Sequence, residues 1–214
     1  MTGDVRRAST KQRLFPLVIV LLLLALTACG SDAPTVYRLD KDDVVLAFGN
    51  SITFGSGAEK DESYPARLAK LIDRSVTNAG VPGEVSSEGL ARLPGVLGKY
   101  PPALLILCHG GNDMLRQMDE KAAADNIRRM VKMAKDAGVD VVLIGVPRPG
   151  LFVPYAADFY LEIAEEFNIP YDEKTLADIA LDGSLQSDPI HPNAKGYDKL
   201  ARSIAKLLKE AKAF

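Results

Sequence analysis

Three short apolar runs limit most sharply what this chain can fold into: Val44–Phe48 stopping at Gly49, Ala103–Cys108 introduced by Pro101-Pro102, and Val139–Val146. Runs of this length without polar alternation suit strands buried on both faces of a parallel sheet. Between them, apolar residues return at helical spacing. Tyr64, Leu68, Leu71 and Ile72 follow Ser63 as the expected N-cap, with Pro65 in the first turn. Ala123, Ile127, Met130, Val131 and Ala134 follow Asp119 and end at Gly138. Tyr197, Leu200, Ala201, Ile204 and Leu208 mark a last helix from near Asn193. Ser75–Asn78 and Ile169–Asp172 read as shorter strands, and 155–168 as a further helix. Strands alternating with helices imply βαβ units, a parallel sheet and helices on both faces: an α/β fold in three layers.

The first residues follow a different pattern. Arg6, Arg7, Lys11 and Arg13 stand against the single acid Asp4, and the apolar run Leu17–Leu26 follows. A membrane-spanning helix needs about 20 apolar residues, whereas residues 14–28 give fifteen, with Pro16 and Thr27 among them. Basic, then apolar, then small is the pattern of an export signal. Leu26-Thr27-Ala28-Cys29-Gly30 resembles the lipobox of bacterial lipoproteins. The expected division is a signal peptide over 1–28, a lipidated Cys29 and tether over 29–40, and one folded domain over 41–214. The expected location is the bacterial cell envelope, membrane-anchored through Cys29 and periplasm-facing or surface-exposed. An ordinary cleaved signal and an uncleaved anchor are the alternatives.

Residues 29–214 carry 22 basic and 27 acidic side chains. That excess of acid argues against a nucleic-acid partner that binds by counterion release. With Cys29 acylated, Cys108 is the one remaining thiol, so no intramolecular disulfide forms. Cys108 lies within an apolar run and reads as a buried, inert residue.

Ligand sites of open parallel sheets lie at the carboxyl ends of the strands. Three polar clusters fall there: Gly49-Asn50-Ser51, Gly110-Gly111-Asn112-Asp113 and Asp188-Pro189-Ile190-His191. Acyl transfer needs a nucleophile, a base and donors aimed at the developing oxyanion. Ser51 emerges from a buried strand through a glycine, and His191 is the natural base, an imidazole having an ordinary pKa near ~6.5. Asp188 is placed to orient that ring within one loop. Taken singly, each has a plainer reading. Ser51 is a turn or cap residue, Asp188 caps a turn beside Pro189, and His191 caps the last helix. His109, the other histidine, packs at a strand end or contacts substrate.

Four blocks occur in order: Phe48-Gly49-Asn50-Ser51-Ile52-Thr53, Asn78-Ala79-Gly80-Val81-Pro82-Gly83-Glu84, Gly110-Gly111-Asn112-Asp113 and Asp188-Pro189-Ile190-His191-Pro192. In these the chain resembles the SGNH (GDSL) hydrolases, especially the thioesterase I, lysophospholipase L1 and arylesterase type. The resemblance implies a flavodoxin-like parallel sheet of about five strands and a catalytic triad of Ser51, His191 and Asp188. It also implies an oxyanion hole formed by the backbone N–H groups of Ser51 and Gly83 and the side-chain amide of Asn112. Where the family carries Gly-Asp-Ser, this chain has Gly49-Asn50-Ser51. That Asp is no triad member, so activity is expected to persist.

The implied function is hydrolysis of acyl esters through an acyl-enzyme, on lysophospholipids, aryl or short-to-medium acyl esters and thioesters. A carbohydrate O-deacetylase is the alternative within the family. A non-catalytic envelope lipoprotein that binds acyl chains or glycans is the alternative outside it. Neither cofactor nor metal is expected, since the sequence has no His-Glu-x-x-His, Cys-x-x-Cys or Walker loop. Met114, Leu115, Leu151, Phe152 and Val153 either line an acyl-chain groove or cover the core.

Overall fold

A computed structural model of the chain describes residues 33–150 and 154–214. The expected signal peptide, Cys29, and the groove candidates Leu151, Phe152 and Val153 lie outside the described residues. The three apolar runs form β1 (Val44–Gly49), β3 (Leu104–Cys108) and β4 (Asp140–Ile144), all but closed to solvent. The weaker segments supply β2 (Ser75–Gly80) and β5 (Tyr171–Asp172). All pairings are parallel, in the order β2-β1-β3-β4-β5. This is the flavodoxin-like order, in which the crevice opens at the carboxyl ends of the strands next to β1 and β3.

Helices α1 (Ser51–Phe54), α2 (Tyr64–Ile72), α3 (Ser86–Lys99), α4 (Gly111–Leu115), α5 (Glu120–Asp136), α6 (Asp158–Phe167), α7 (Thr175–Ala180) and α8 (Ala194–Glu210) complete the layers. α2 packs on α8, while α3 and α6 pack on α5. The caps follow side-chain chemistry with two corrections. Asp119 and Asn193 accept from the first-turn N–H groups of α5 and α8 as expected. Ser63 precedes α2 but does not cap it, because its hydroxyl donates to Lys60 O at 2.9 Å. His191 is not the cap of the last helix, since Asn193 has that role.

Residues 34–40 depart from the expected tether. Val36 and Leu39 are buried, and their N–H groups donate to Ala211 O at 3.0 Å and Ala213 O at 2.8 Å. Tyr37 N–H donates to the Asp140 carboxylate at the start of β4, and Arg74 Nη2, just before β2, donates to Leu39 O at 2.9 Å. The folded unit therefore begins at Pro34 rather than at residue 41. This segment crosses the amino ends of the strands, opposite the crevice.

Three fully buried tyrosines have hydroxyl partners near that crevice. Tyr64 bonds Thr53 Oγ1 at 3.2 Å, Tyr197 donates to Ser56 O at 2.7 Å, and Tyr160 donates to His109 O at 2.6 Å. A buried phenol needs a partner, and here each partner lies beside a site loop. Packing and loop placement are thus coupled.

Candidate active site

β1 ends at Gly49, and Asn50, only 3% exposed, caps α1 by accepting from Ile52 N–H at 3.3 Å. The cap uses the Asn50 side-chain oxygen, an acceptor that an aspartate also provides. Ser51 thereby occupies the first helical position, where an N–H has no intrahelical acceptor. Its hydroxyl lies 3.0 Å from His191 Nε2, across 140 residues of sequence. His191 Nδ1 lies 2.8 Å from Asp188 Oδ2. A carboxylate only accepts, so Nδ1 carries the proton and Nε2 accepts from Ser51 Oγ–H.

Asp188 is itself held in place. Its Oδ1 accepts from Ile190 N–H at 2.8 Å and His191 N–H at 2.9 Å, closing a tight loop that fixes the angle between carboxylate and ring. Burial pushes its pKa up, but the bonds from the His191 ring and these two N–H groups outweigh it, leaving the carboxyl below its usual range.

The expected oxyanion donors come from the next two loops. Gly83 has φ +78°, a left-handed conformation that a side chain would strain, and its carbonyl accepts from Arg116 Nη2 at 2.7 Å. Among the described residues its N–H has no acceptor. Asn112 lies on α4 behind Gly110, whose φ of +94° and contacts with Tyr160 Oη and Ile127 Cδ1 exclude a Cβ. Asn112 Nδ2 donates to Glu84 O at 2.9 Å, which joins the two loops. A second clamp runs beside it. Asp113, 2% exposed, accepts from Ser86 N–H at 2.9 Å and Ser86 Oγ–H at 2.6 Å.

Beside Ser51 lies a cleft of about 310 Å³, lined among others by Leu115, Val146, Leu176, Ile179, Leu181 and Ile190. Of the two readings left open for Leu115, it lines the cleft. Met114 instead lines a neighbouring depression with Met118. The wall contributed by α7 was missed in the sequence, because a six-residue helix is too short to display helical periodicity. The one signal was the Leu176–Ile179 spacing. His109 is fully buried and bonds Glu84, so it is neither the base nor a substrate contact. Burial pushes the Cys108 thiol up to about 12, as expected of an inert residue. Among the described residues no cluster of three or more His, Cys, Asp or Glu side chains is placed to hold a metal ion.

A parallel sheet with a hydrogen-bonded Ser-His-Asp series at its carboxyl edge, flanked by N–H donors and an apolar cleft, defines a serine ester hydrolase. The comparisons agree. Residues 47–199 match the GDSL-like lipase/acylhydrolase family, to which the chain belongs. It is 30% identical to esterase TesA of Pseudomonas aeruginosa, over 77% of this chain and 87% of that protein. It is 29% identical to thioesterase 1/protease 1/lysophospholipase L1 of Escherichia coli, over 80% of this chain and 86% of that one. The solved esterase EstA from Pseudoalteromonas, inhibited by monoethylphosphonate, superposes with a TM-score of 0.68 at 26% identity, covering 78% of this chain and all of EstA.

Proposed function

We propose that Ser51 is the nucleophile, His191 the base and Asp188 its orienting partner in hydrolysis of acyl esters with short to medium acyl chains. Ser51 Oγ bonds to the acyl carbonyl carbon as its proton passes to His191 Nε2, and the carbonyl electron pair moves onto oxygen. The N–H groups of Ser51 and Gly83 and the Asn112 amide receive that charge in the position where it develops. His191 returns the proton to the departing alcohol. It then takes one from water as the water oxygen bonds to the acyl carbon, and gives it to Ser51 Oγ as the acyl–Oγ bond breaks, releasing the acid and free Ser51. Asp188 stays ionised and supports the imidazolium.

The observation that carries this reading is the unbroken series Ser51 Oγ–His191–Asp188, at 3.0 and 2.8 Å, opening onto the apolar cleft. A cleft of about 310 Å³ is at the small end of ligand sites, which favours a limited acyl length. Aryl esters, lysophospholipids and thioesters fit the same chemistry, and relatives carry the names of those activities. The cell-envelope reading rests on the lipobox resemblance at Cys29.

Hydrolysis of p-nitrophenyl esters from acetate to palmitate by the purified protein tests the substrate reading. A maximum at intermediate length supports it, and a rate confined to acetate supports a deacetylase instead.

A further inference from the structure

Behind the two oxyanion loops lies a charged cluster, built around the buried Glu84 and His109 and the half-buried Arg92, that the reaction steps do not use. Glu84, 6% exposed, accepts from Arg92 Nε and Nη2, each at 2.7 Å, and lies 3.1 Å from His109 Nε2. His109 Nδ1 accepts from Gly110 N–H at 3.0 Å, so Nε2 bears the hydrogen and donates to the carboxylate. Burial pushes the Glu84 pKa up. The bonds from His109 and Arg92 outweigh it, and the group is a carboxylate.

The cluster is tied to three strands. Arg92 also donates to Ala79 O in β2 at 3.1 Å and lies 4.1 Å over the Phe48 ring in β1. His109 directly follows β3, its carbonyl held by Tyr160 and its ring pressed against α3, where a Cβ on Gly89 would lie 2.3 Å from Nε2. Glu84 is therefore held at both carboxylate oxygens.

We propose that Glu84 is a positioning residue for the oxyanion hole: its anchored carboxylate locks the peptide whose carbonyl aims the Asn112 amide. This rests on the reading of Asn112 as an oxyanion donor. An amide nitrogen carries two hydrogens in one plane, and one of them is committed to Glu84 O at 2.9 Å. The other is then directed by geometry, and the carbonyl also decides that nitrogen rather than oxygen faces the site. Gly83, the other loop donor, is the residue immediately before. A buried ion cluster is a poor source of net stability compared with apolar packing, so orientation is the better explanation for one in this place.

The test is a double-mutant cycle on kcat and KM with a p-nitrophenyl ester, using Glu84→Gln, Asn112→Ala and the pair. Glutamine offers a single side-chain acceptor where three N–H donors converge. Removing a whole oxyanion donor costs about 100- to 1,000-fold in kcat, which sets the scale for Asn112→Ala. Glu84→Gln should then lose about 10- to 100-fold in kcat, with KM within about threefold. In the Asn112→Ala background it should lose no more than about twofold further. Arg92→Lys, which keeps the charge and breaks the fork, should reproduce the kcat-only loss and serves if Glu84→Gln does not fold. Losses that multiply in the pair, or a normal kcat in folded Glu84→Gln beside an impaired Asn112→Ala, overturn the positioning role and leave the triad standing. An unimpaired Asn112→Ala overturns the oxyanion assignment and the proposal with it.

Discussion

Asp113 closes on Ser86 across 27 residues of sequence, accepting from its N–H at 2.9 Å and from its hydroxyl at 2.6 Å. Ser86 begins α3 just after Gly83 and Glu84, and Asp113 directly follows Asn112, so the pair holds the Gly83 and Asn112 loops at a fixed separation. Asn126 Nδ2 in turn donates to Ser86 Oγ at 2.9 Å.

Asp113→Asn should therefore lower both stability and kcat. Hydrogen bonds to a charged group contribute about 1.5–3 kcal/mol, which for a domain of this size is roughly 3–12 °C in Tm. Ser86→Ala keeps the N–H bond and should cost less. Thermal unfolding together with steady-state kinetics checks both, and an unchanged Tm in Asp113→Asn contradicts the clamp.

The α7 wall should set acyl length. Ala180 lines the cleft, and Ala180→Leu adds bulk there without touching Ser51. A change of one or a few methylenes in an apolar pocket is worth about 10- to 200-fold in selectivity. The octanoyl ester should lose about tenfold or more in kcat/KM, while the acetyl ester stays within about threefold. Equal losses on both esters would place the acyl chain elsewhere.

Asp188 makes stability depend on pH with a definite sign. Its carboxyl is below its usual range in the folded protein, so the stability it contributes is present above the unfolded pKa and lost as pH falls through the folded one. The difference in unfolding free energy between wild type and Asp188→Asn should be constant through neutral pH and shrink below about pH 4. Asp188→Asn should also lose about 10,000-fold in kcat, because the imidazole is left in the wrong tautomer. A difference that grows with acidity would contradict the sign.

Cys108, with its thiol pushed up to about 12 by burial, should resist iodoacetamide in the native protein. Peptide mapping should find it alkylated only after denaturation, with activity unaffected by the reagent beforehand. Inactivation by iodoacetamide would place Cys108 within reach of the site.

Much of this was legible in the sequence for physical reasons. β1, β3 and β4 are buried on both faces, so apart from Asp140 at the start of β4 their residues read as continuous apolar runs. Asp188 and His191 share one loop, and local spacing exposes their partnership. What stayed hidden depends on distant partners. Val36 and Leu39 look like two apolar residues in a polar stretch until Ala211 and Ala213 receive their N–H groups. Glu84 and His109 lie 25 residues apart, each unremarkable alone, and meet only because β3 and the loop after β2 end side by side. Spacing alone left Met114 and Leu115 open between groove and core cover; Met114 packs against the core and borders the adjoining depression, while Leu115 borders the cleft.

The nucleophile can be trapped directly. Incubating the purified protein with a fluorophosphonate and mapping the adduct by mass spectrometry should place one covalent modification on the peptide containing Ser51. Ser51→Ala should show neither adduct nor ester hydrolysis. An adduct on another residue, or hydrolysis undiminished in Ser51→Ala, would contradict the triad of Ser51, His191 and Asp188.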